Sequence, residues 1–224
     1  MSAAAQRALT VGGIGNSPTL DDVCAVAAGG VSVALDPAGA ERIKKASPPP
    51  KAFQLEDEAT QASCSANGQQ GEGNRILLPP AYTRAVLVTK LLQLMNGRSG
   101  VRLQVAEYIA ALLNTGCSLP LLAWSETDGQ QGGGALPQLA QACYGLGEIS
   151  TSAGLEPPKL SPSERLVLQG GAAASAGVSC LLVQGGKKLL SMAKAGAALS
   201  IEAVGMQVRR VRGTCICTCT YARM

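Results

Sequence analysis

The chain has 224 residues, enough for one sizeable domain or two small ones. Hydrophobic residues make up 46% and charged ones 15%, a balance that supports a packed core and excludes wholesale disorder. Aromatics are only 3% and histidine is absent, so the core is expected from Ala, Leu and Val in closely packed helices. Without histidine, Ser-His-Asp and Cys-His nucleophile systems, His-ligated zinc and the usual neutral-pH general base are excluded. The net charge is +4, and Arg209, Arg210 and Arg212 form the one tight basic cluster, so no nucleic-acid partner is expected.

In chain order, residues 1–18 read as a flexible lead-in. Thr19 with Asp22 predicts a capped helix over TLDDVCAVAAGG that ends at Gly29-Gly30. VSVAL (31–35) alternates like a short strand. Asp36-Pro37 opens a helix through AGAERIKKAS, stopped by Pro48-Pro49-Pro50. Residues 51–76 are polar without an apolar period and read as a loop or disordered insert.

Pro79-Pro80 precede AYTRAVLVTKLLQLMNG, whose Val86, Leu87, Lys90, Leu91, Leu94 and Met95 recur at helical spacing, with Gly97 as the stop. Arg98-Ser99-Gly100 links it to VRLQVAEYIAALLNTG, and the short link predicts an antiparallel helical hairpin. SLPLLAW reads as extended, ETDGQQGGGA (126–135) as a glycine-rich loop and PQLAQACYGLG as a helix. Ser161-Pro162-Ser163-Glu164 forms a capping box that starts a mainly helical stretch to about Val204. The tail 205–224 has no core pattern. The boundaries are thus a lead-in (1–18), a first region (19–148) with its insert at 51–76, a helical region (149–204) and a Cys/Arg tail (205–224).

The motifs that could carry chemistry are few. Gly12-Gly13-Ile14-Gly15 is expected to lack a preceding strand, and it lacks the properly offset third glycine and the downstream acidic ribose contact of a dinucleotide fingerprint; Gly185-Gly186-Lys187-Lys188 lacks the spacing of a phosphate loop. Cys215, Cys217 and Cys219 are the one metal-like spacing, but no fourth ligand is near and a tail is the plainer reading, so no metal is expected. Asp21 and Asp22 suit a helix N-terminus, and Glu56, Asp57 and Glu58 lie in the polar insert. Cys24, Cys117, Cys143 and Cys180 sit singly among apolar residues, where a thiol acts as a small core side chain. Segment 166–186 has the length of a membrane span, but its Gly, Gln and Ser predict a buried Ala/Gly helix and no membrane partner. A reducing, cytoplasmic setting is expected; MSAAAQRALT, with one Arg and no acid, leaves organelle targeting as the alternative.

Four stretches together resemble the phenylalanine and histidine ammonia-lyase family of aromatic amino acids. TLDDVCAVAAGGVSVALDPAGAERI is similar to the family's "LTLDDVVAVARGG…V.LDP.A..RI". LPPAYTRAVLVTKLLQLMNGRSGVR is similar to the helix pair ending in "QGYSGIR", with a lean towards the phenylalanine type in Leu78-Pro79-Pro80 and Arg84-Ala85. LNTGCSLPLL and ALPQLAQACYGLGE resemble the segments flanking the family's active-site loop. GLEPPKLSPSERLVLQGG and the later ALSIEAV resemble "GL.P..L.PKEGLAL.NGT" and "LS.EA".

The resemblance implies a mainly α fold of the L-aspartase/fumarase type: an N-terminal mixed region followed by the start of a long-helix bundle. It also implies an elimination of ammonia driven by a methylidene-imidazolone, made when an Ala-Ser-Gly tripeptide cyclises and loses water. Here that tripeptide falls on Gly132, Gly133 and Gly134, and a glycine has no side-chain carbon to dehydrate. The group therefore cannot form, and no other cofactor is expected. The family's tyrosine loop, "YG.NTGFG", would fall within 51–76, where nothing matches. The asparagine of "NGT" falls on Gly170, and the tyrosine of "YSGIR" on Arg98, while Ser99, Gly100 and Arg102 persist. The family's later part, with its second tyrosine and substrate-gripping arginine, would lie beyond residue 224.

Packing tolerates apolar replacement, whereas a covalent catalyst tolerates no loss of its reacting atom. The expectation is a truncated, divergent family member with little or no lyase activity. The alternative is a non-catalytic structural or oligomerisation partner, a homo- or hetero-oligomer that pairs with an intact paralogue. A third reading, an active enzyme with 51–76 and 205–224 mistranslated, requires an Ala-Ser-Gly codon run around residue 132.

Overall fold

A computed structural model describes residues 8–13, 18–46, 76–116, 119, 121–124, 136–137, 139–140 and 154–203. The chain divides into two compact units, Met1–Leu181 and Leu182–Met224.

The first unit begins with a β-α-β turn of chain. Strand β1 (Ala8–Val11) and strand β2 (Ser32–Leu35) pair in parallel, Leu9 opposite Val33 and Val11 opposite Leu35, with helix α1 (Leu20–Ala27) as the crossover. The capping box is present: the Thr19 hydroxyl accepts from the Asp22 N–H at 3.3 Å, and the Asp22 carboxylate accepts from the Thr19 N–H at 2.9 Å. Strand β1 differs from the sequence reading, which leaves 1–18 as a flexible lead-in. Four residues are too few to show a period, and the pairing that holds them comes from 24 positions away. The side of β2 away from β1 is covered by an amide: Asn114 Oδ1 accepts from the Val33 N–H at 2.7 Å and its Nδ2 donates to the Val33 carbonyl at 2.8 Å.

Helix α2 (Pro37–Ala46) starts where Asp36 accepts from the backbone N–H groups of Ala38 and Gly39. Strand β3 (Ile76–Leu78) leads into helix α3 (Pro80–Met95), followed by helix α4 (Leu103–Asn114) and strand β4 (Leu122–Trp124). β3 and β4 form an antiparallel pair with Leu77 opposite Ala123. The extended reading of SLPLLAW holds over Leu122–Trp124, and the sequence gives no sign of its partner β3 in the Leu-Leu-Pro approach to α3.

The core centres on α3, which is buried on several sides rather than along one stripe. Ala85, Val86, Leu87, Val88, Leu91, Leu94 and Met95 are all essentially inaccessible, against Val105, Ile109, Leu112 and Leu113 of α4 and Val23, Val26 and Ala27 of α1. At roughly 1.5–3 kcal/mol for each large aliphatic side chain removed from water, this cluster dominates the folding free energy.

Four helices of this unit end without a basic residue in their own last turn. Each last turn is served from another element. Arg84 of α3 donates to Val26 of α1 at 3.3 Å and to Leu113 of α4 at 2.7 Å. Arg42 of α2 donates to Met95 at the end of α3 at 3.2 Å and also to Gly12. Lys90 of α3 serves helix α5 (Pro162–Gln169), whose capping box at Ser161 and Glu164 is formed. Orphan carbonyls at helix ends carry partial negative charge, so this cross-capping welds the layers together.

Helix α6 (Ala173–Ala203) follows a break at Gly170–Ala172. Ala173, Ala174, Gly177 and Val178 are buried, as expected of an Ala/Gly helix. In the second unit the described residues are the remainder of α6, where Leu182 and Val183 are exposed, contrary to the buried helix expected through residue 186, and Leu189, Met192 and Leu199 beyond it are exposed as well. Among the described residues one helical stretch, Ser163–Ala203, is long and apolar enough to cross a membrane by length and composition. The break at Gly170–Ala172 interrupts that stretch.

Candidate functional site

Helical spacing puts Lys90 in register with Val86, Leu87 and Leu94, so its side chain enters the interior, where it is 2% exposed. An ammonium removed from water needs an acceptor for each hydrogen. Nζ finds the carbonyls of Val167 and Gly170, both at 2.7 Å, and Gln93 Oε1 at 3.2 Å. Burial pushes the Lys90 pKa down to about 8.

Gly170 ends α5 with extended backbone (φ −98°, ψ 165°), and Gly171 follows at φ +100°. The backbone angle requires glycine at Gly171, and a Cβ there would stand 2.9 Å from Gln93 Nε2, the movable end of that side chain. The Thr89 hydroxyl lies 2.8 Å from the Ala173 carbonyl at the start of α6. One turn of α3, Thr89 to Gln93, thus holds the Gly170–Ala173 corner.

Arg102 and Glu164 form the second half of the site. Glu164 Oε1 accepts from the Arg102 backbone N–H at 3.0 Å and from Nε at 2.9 Å; Oε2 accepts from Nη2 at 2.8 Å and from the Ser161 N–H at 2.9 Å. Arg102 also donates to the Lys159 carbonyl. The Glu164 side chain is 2% exposed and that of Arg102 42%. These donors overcome the cost of burial and hold the Glu164 pKa down to about 2, while the carboxylate raises that of Arg102.

Chemically, these groups hold rather than react. All three ammonium hydrogens of Lys90 are directed at acceptors, and the Glu164 carboxylate accepts four N–H groups. Of the positions singled out in the sequence, Gly170 sits in this corner and Arg102 in the ion pair. Gly132, Gly133 and Gly134 lie outside the described residues, as do Cys215, Cys217, Cys219 and the insert at 51–75. The segment just after the glycines is anchored: Leu136, Pro137 and Leu139 are buried. Sequence reasoning missed the roles of Lys90 and Gln93. The available signal was a lysine in an otherwise apolar helical register. The partner of Glu164 was equally hidden, because a capping box accounts for that residue locally.

A family model for aromatic amino acid lyases matches residues 51–213. Histidine ammonia-lyase of Gloeobacter violaceus is 28% identical over 223 residues, covering 84% of this chain and 43% of that protein. Among solved structures, histidine ammonia-lyase from Trypanosoma cruzi matches with a TM-score of 0.74 and 21% identity, over 89% of this chain and 44% of that one. Phenylalanine ammonia-lyase from Rhodosporidium toruloides matches with a TM-score of 0.70 and 22% identity, over 88% and 35%. The chain therefore spans less than half the length of these proteins and shares their mainly helical fold. The corner at Gly170 and the Arg102–Glu164 pair join two of the lyase-like stretches, and with the family model covering most of the chain, this protein belongs to the aromatic amino acid lyase family.

Proposed function

We propose that this protein is a divergent ammonia-lyase-family member that keeps the scaffold and has little or no activity in eliminating ammonia from aromatic amino acids. The observation that carries the reading is Gly132-Gly133-Gly134 where the family's Ala-Ser-Gly falls. The register rests on the likeness of the following ALPQLAQACYGLGE to the segment after the family's active-site loop. A methylidene carbon must come from a side chain, so these residues do not fit the family's electrophile, and no step through it is available. Gly170 in place of the asparagine, and Arg98 in place of the tyrosine, point the same way. What is retained is packing and capping.

Incubation of the purified protein with phenylalanine, tyrosine and histidine tests this, with ultraviolet detection of cinnamate, coumarate and urocanate. No product above a heat-inactivated control is expected; product formation that depends on this chain overturns the reading.

A second reading, a structural or oligomerisation partner of its own kind or of an intact paralogue, is favoured by the apolar side chains that α6 exposes at Leu182, Val183, Leu189, Leu190, Met192 and Leu199. It expects a defined oligomer by light scattering, and a clean monomer counts against it. The proposal places the protein in the cytoplasm, with no cofactor, nucleic acid or membrane as partner.

A further inference from the structure

Two cysteines 156 positions apart in sequence come together in the first unit, the thiol of one against the backbone of the other. Cys24 of α1 directs its sulfur at the backbone carbonyl of Cys180, in α6, at 3.7 Å. Both are half-buried cysteines outside any disulfide. The meeting has a structural cause. Both α1 and α6 pack on α3: Arg84 ties α1 to it through Val26, and α6 comes in at Gly177. A Cβ at Gly177 would stand 2.8 Å from the backbone of Val86, so the two helices are in backbone contact there. Cys180 lies one helical turn beyond Gly177, on the same side of α6. That close crossing delivers Cys180 to α1.

We propose that Cys24 and Cys180 are an oxidation site, a thiol pair that peroxide converts to a disulfide linking α1 to α6. Peroxide oxidises one thiol to a sulfenic acid and releases water. The second thiol then attacks that sulfur as thiolate, forms the S–S bond and expels hydroxide, which leaves as a second water after taking up the thiol proton. One peroxide is reduced and two thiols are oxidised; a dithiol reductant reverses the change. The bridge closes nearly the whole first unit into one covalent loop, so its strongest effect falls on the unfolded chain. The pair does not depend on catalysis and is independent of the lyase reading.

The test uses the full reduced chain, treated with hydrogen peroxide at a few equivalents, alkylated and digested without reductant. Peptide mapping is expected to find the Cys24–Cys180 cross-link as the dominant disulfide, removed by dithiothreitol and absent from C24S and C180S. Oxidation should also protect the wild-type chain, and not C24S, against unfolding in urea. G177A, which pushes α6 off α3, should reduce the cross-link yield several-fold while leaving the total of reactive thiols unchanged. The wild-type map decides the matter even if a variant folds poorly. Sulfenic or sulfinic acid on Cys24 or Cys180 without a link between them overturns the proposal, and so does a dominant disulfide through Cys215, Cys217 or Cys219.

Discussion

Glu164 is bound by Arg102 from both the main chain and the side chain, so the turn that enters α4 and the first turn of α5 are held as one piece. A capping residue ordinarily serves its own helix. Here the same carboxylate caps α5, through Ser161, and anchors a segment 62 residues earlier. Removing either partner should therefore cost more than a surface ion pair. Breaking a buried pair typically costs about 3–5 kcal/mol, and the partial exposure of Arg102 lowers the expectation to about 2–3 kcal/mol. R102A and E164Q should each lose that amount in urea denaturation, and the double variant should lose less than the sum. Full additivity would show that the two residues act separately.

The same pair sets an acid limit. The folded pKa of Glu164 is about 2, below the ordinary value of 4.5, so the folded state favours the ionised form. Its contribution is fully present above pH 4.5 and is lost as pH falls from there towards 2. Stability measured between pH 6 and pH 3 should fall more steeply for the wild-type chain than for E164Q. Parallel curves would remove Glu164 as the cause.

Lys90 gives the same sign at the alkaline end, because its folded pKa is also lowered. Its folded pKa of about 8 lies below the ordinary 10.5, so between these values the unfolded chain holds the proton more often. Stability assigned to this residue rises with pH across that window and is lost as pH falls through 8. K90M keeps the apolar stem but orphans the carbonyls of Val167 and Gly170, at a cost of about 1–3 kcal/mol near neutrality. The wild-type curve should rise relative to that of K90M from pH 8 to 10; a constant difference would argue against a titrating Lys90.

Glycines along α6 separate by environment. A Cβ at Gly177 meets the Val86 backbone, whereas at Gly185 and Gly186 nothing lies within 4 Å. G177A should destabilise the protein by about 1–3 kcal/mol through overpacking. G185A and G186A should each add up to about 1 kcal/mol of helix stability. Circular dichroism melts of the three variants check the contrast, and equal effects at all three positions would refute it.

These relationships show what was legible in the chain itself. The capping boxes at Thr19–Asp22 and Ser161–Glu164, strand β2 and the α3–α4 hairpin are written in local spacing, and each is found where that spacing put it. Strands β1 and β3 are three or four residues long and owe their existence to a distant partner, so no local period announces them. The cross-capping by Arg42, Arg84 and Lys90 was hidden for the same reason: a basic residue on one helix carries no mark of which helix end it will serve. The proposed loss of the electrophile at Gly132–Gly134 is argued from the sequence alone, because it rests on what glycine lacks.

Mass spectrometry of the peptide containing Gly132, Gly133 and Gly134, isolated from the natural protein, tests the central claim most directly. The account predicts the mass of the unmodified sequence and no absorbance beyond that of its aromatic residues. A mass deficit of water localised to those three residues, the sign of a dehydrated ring, would contradict it.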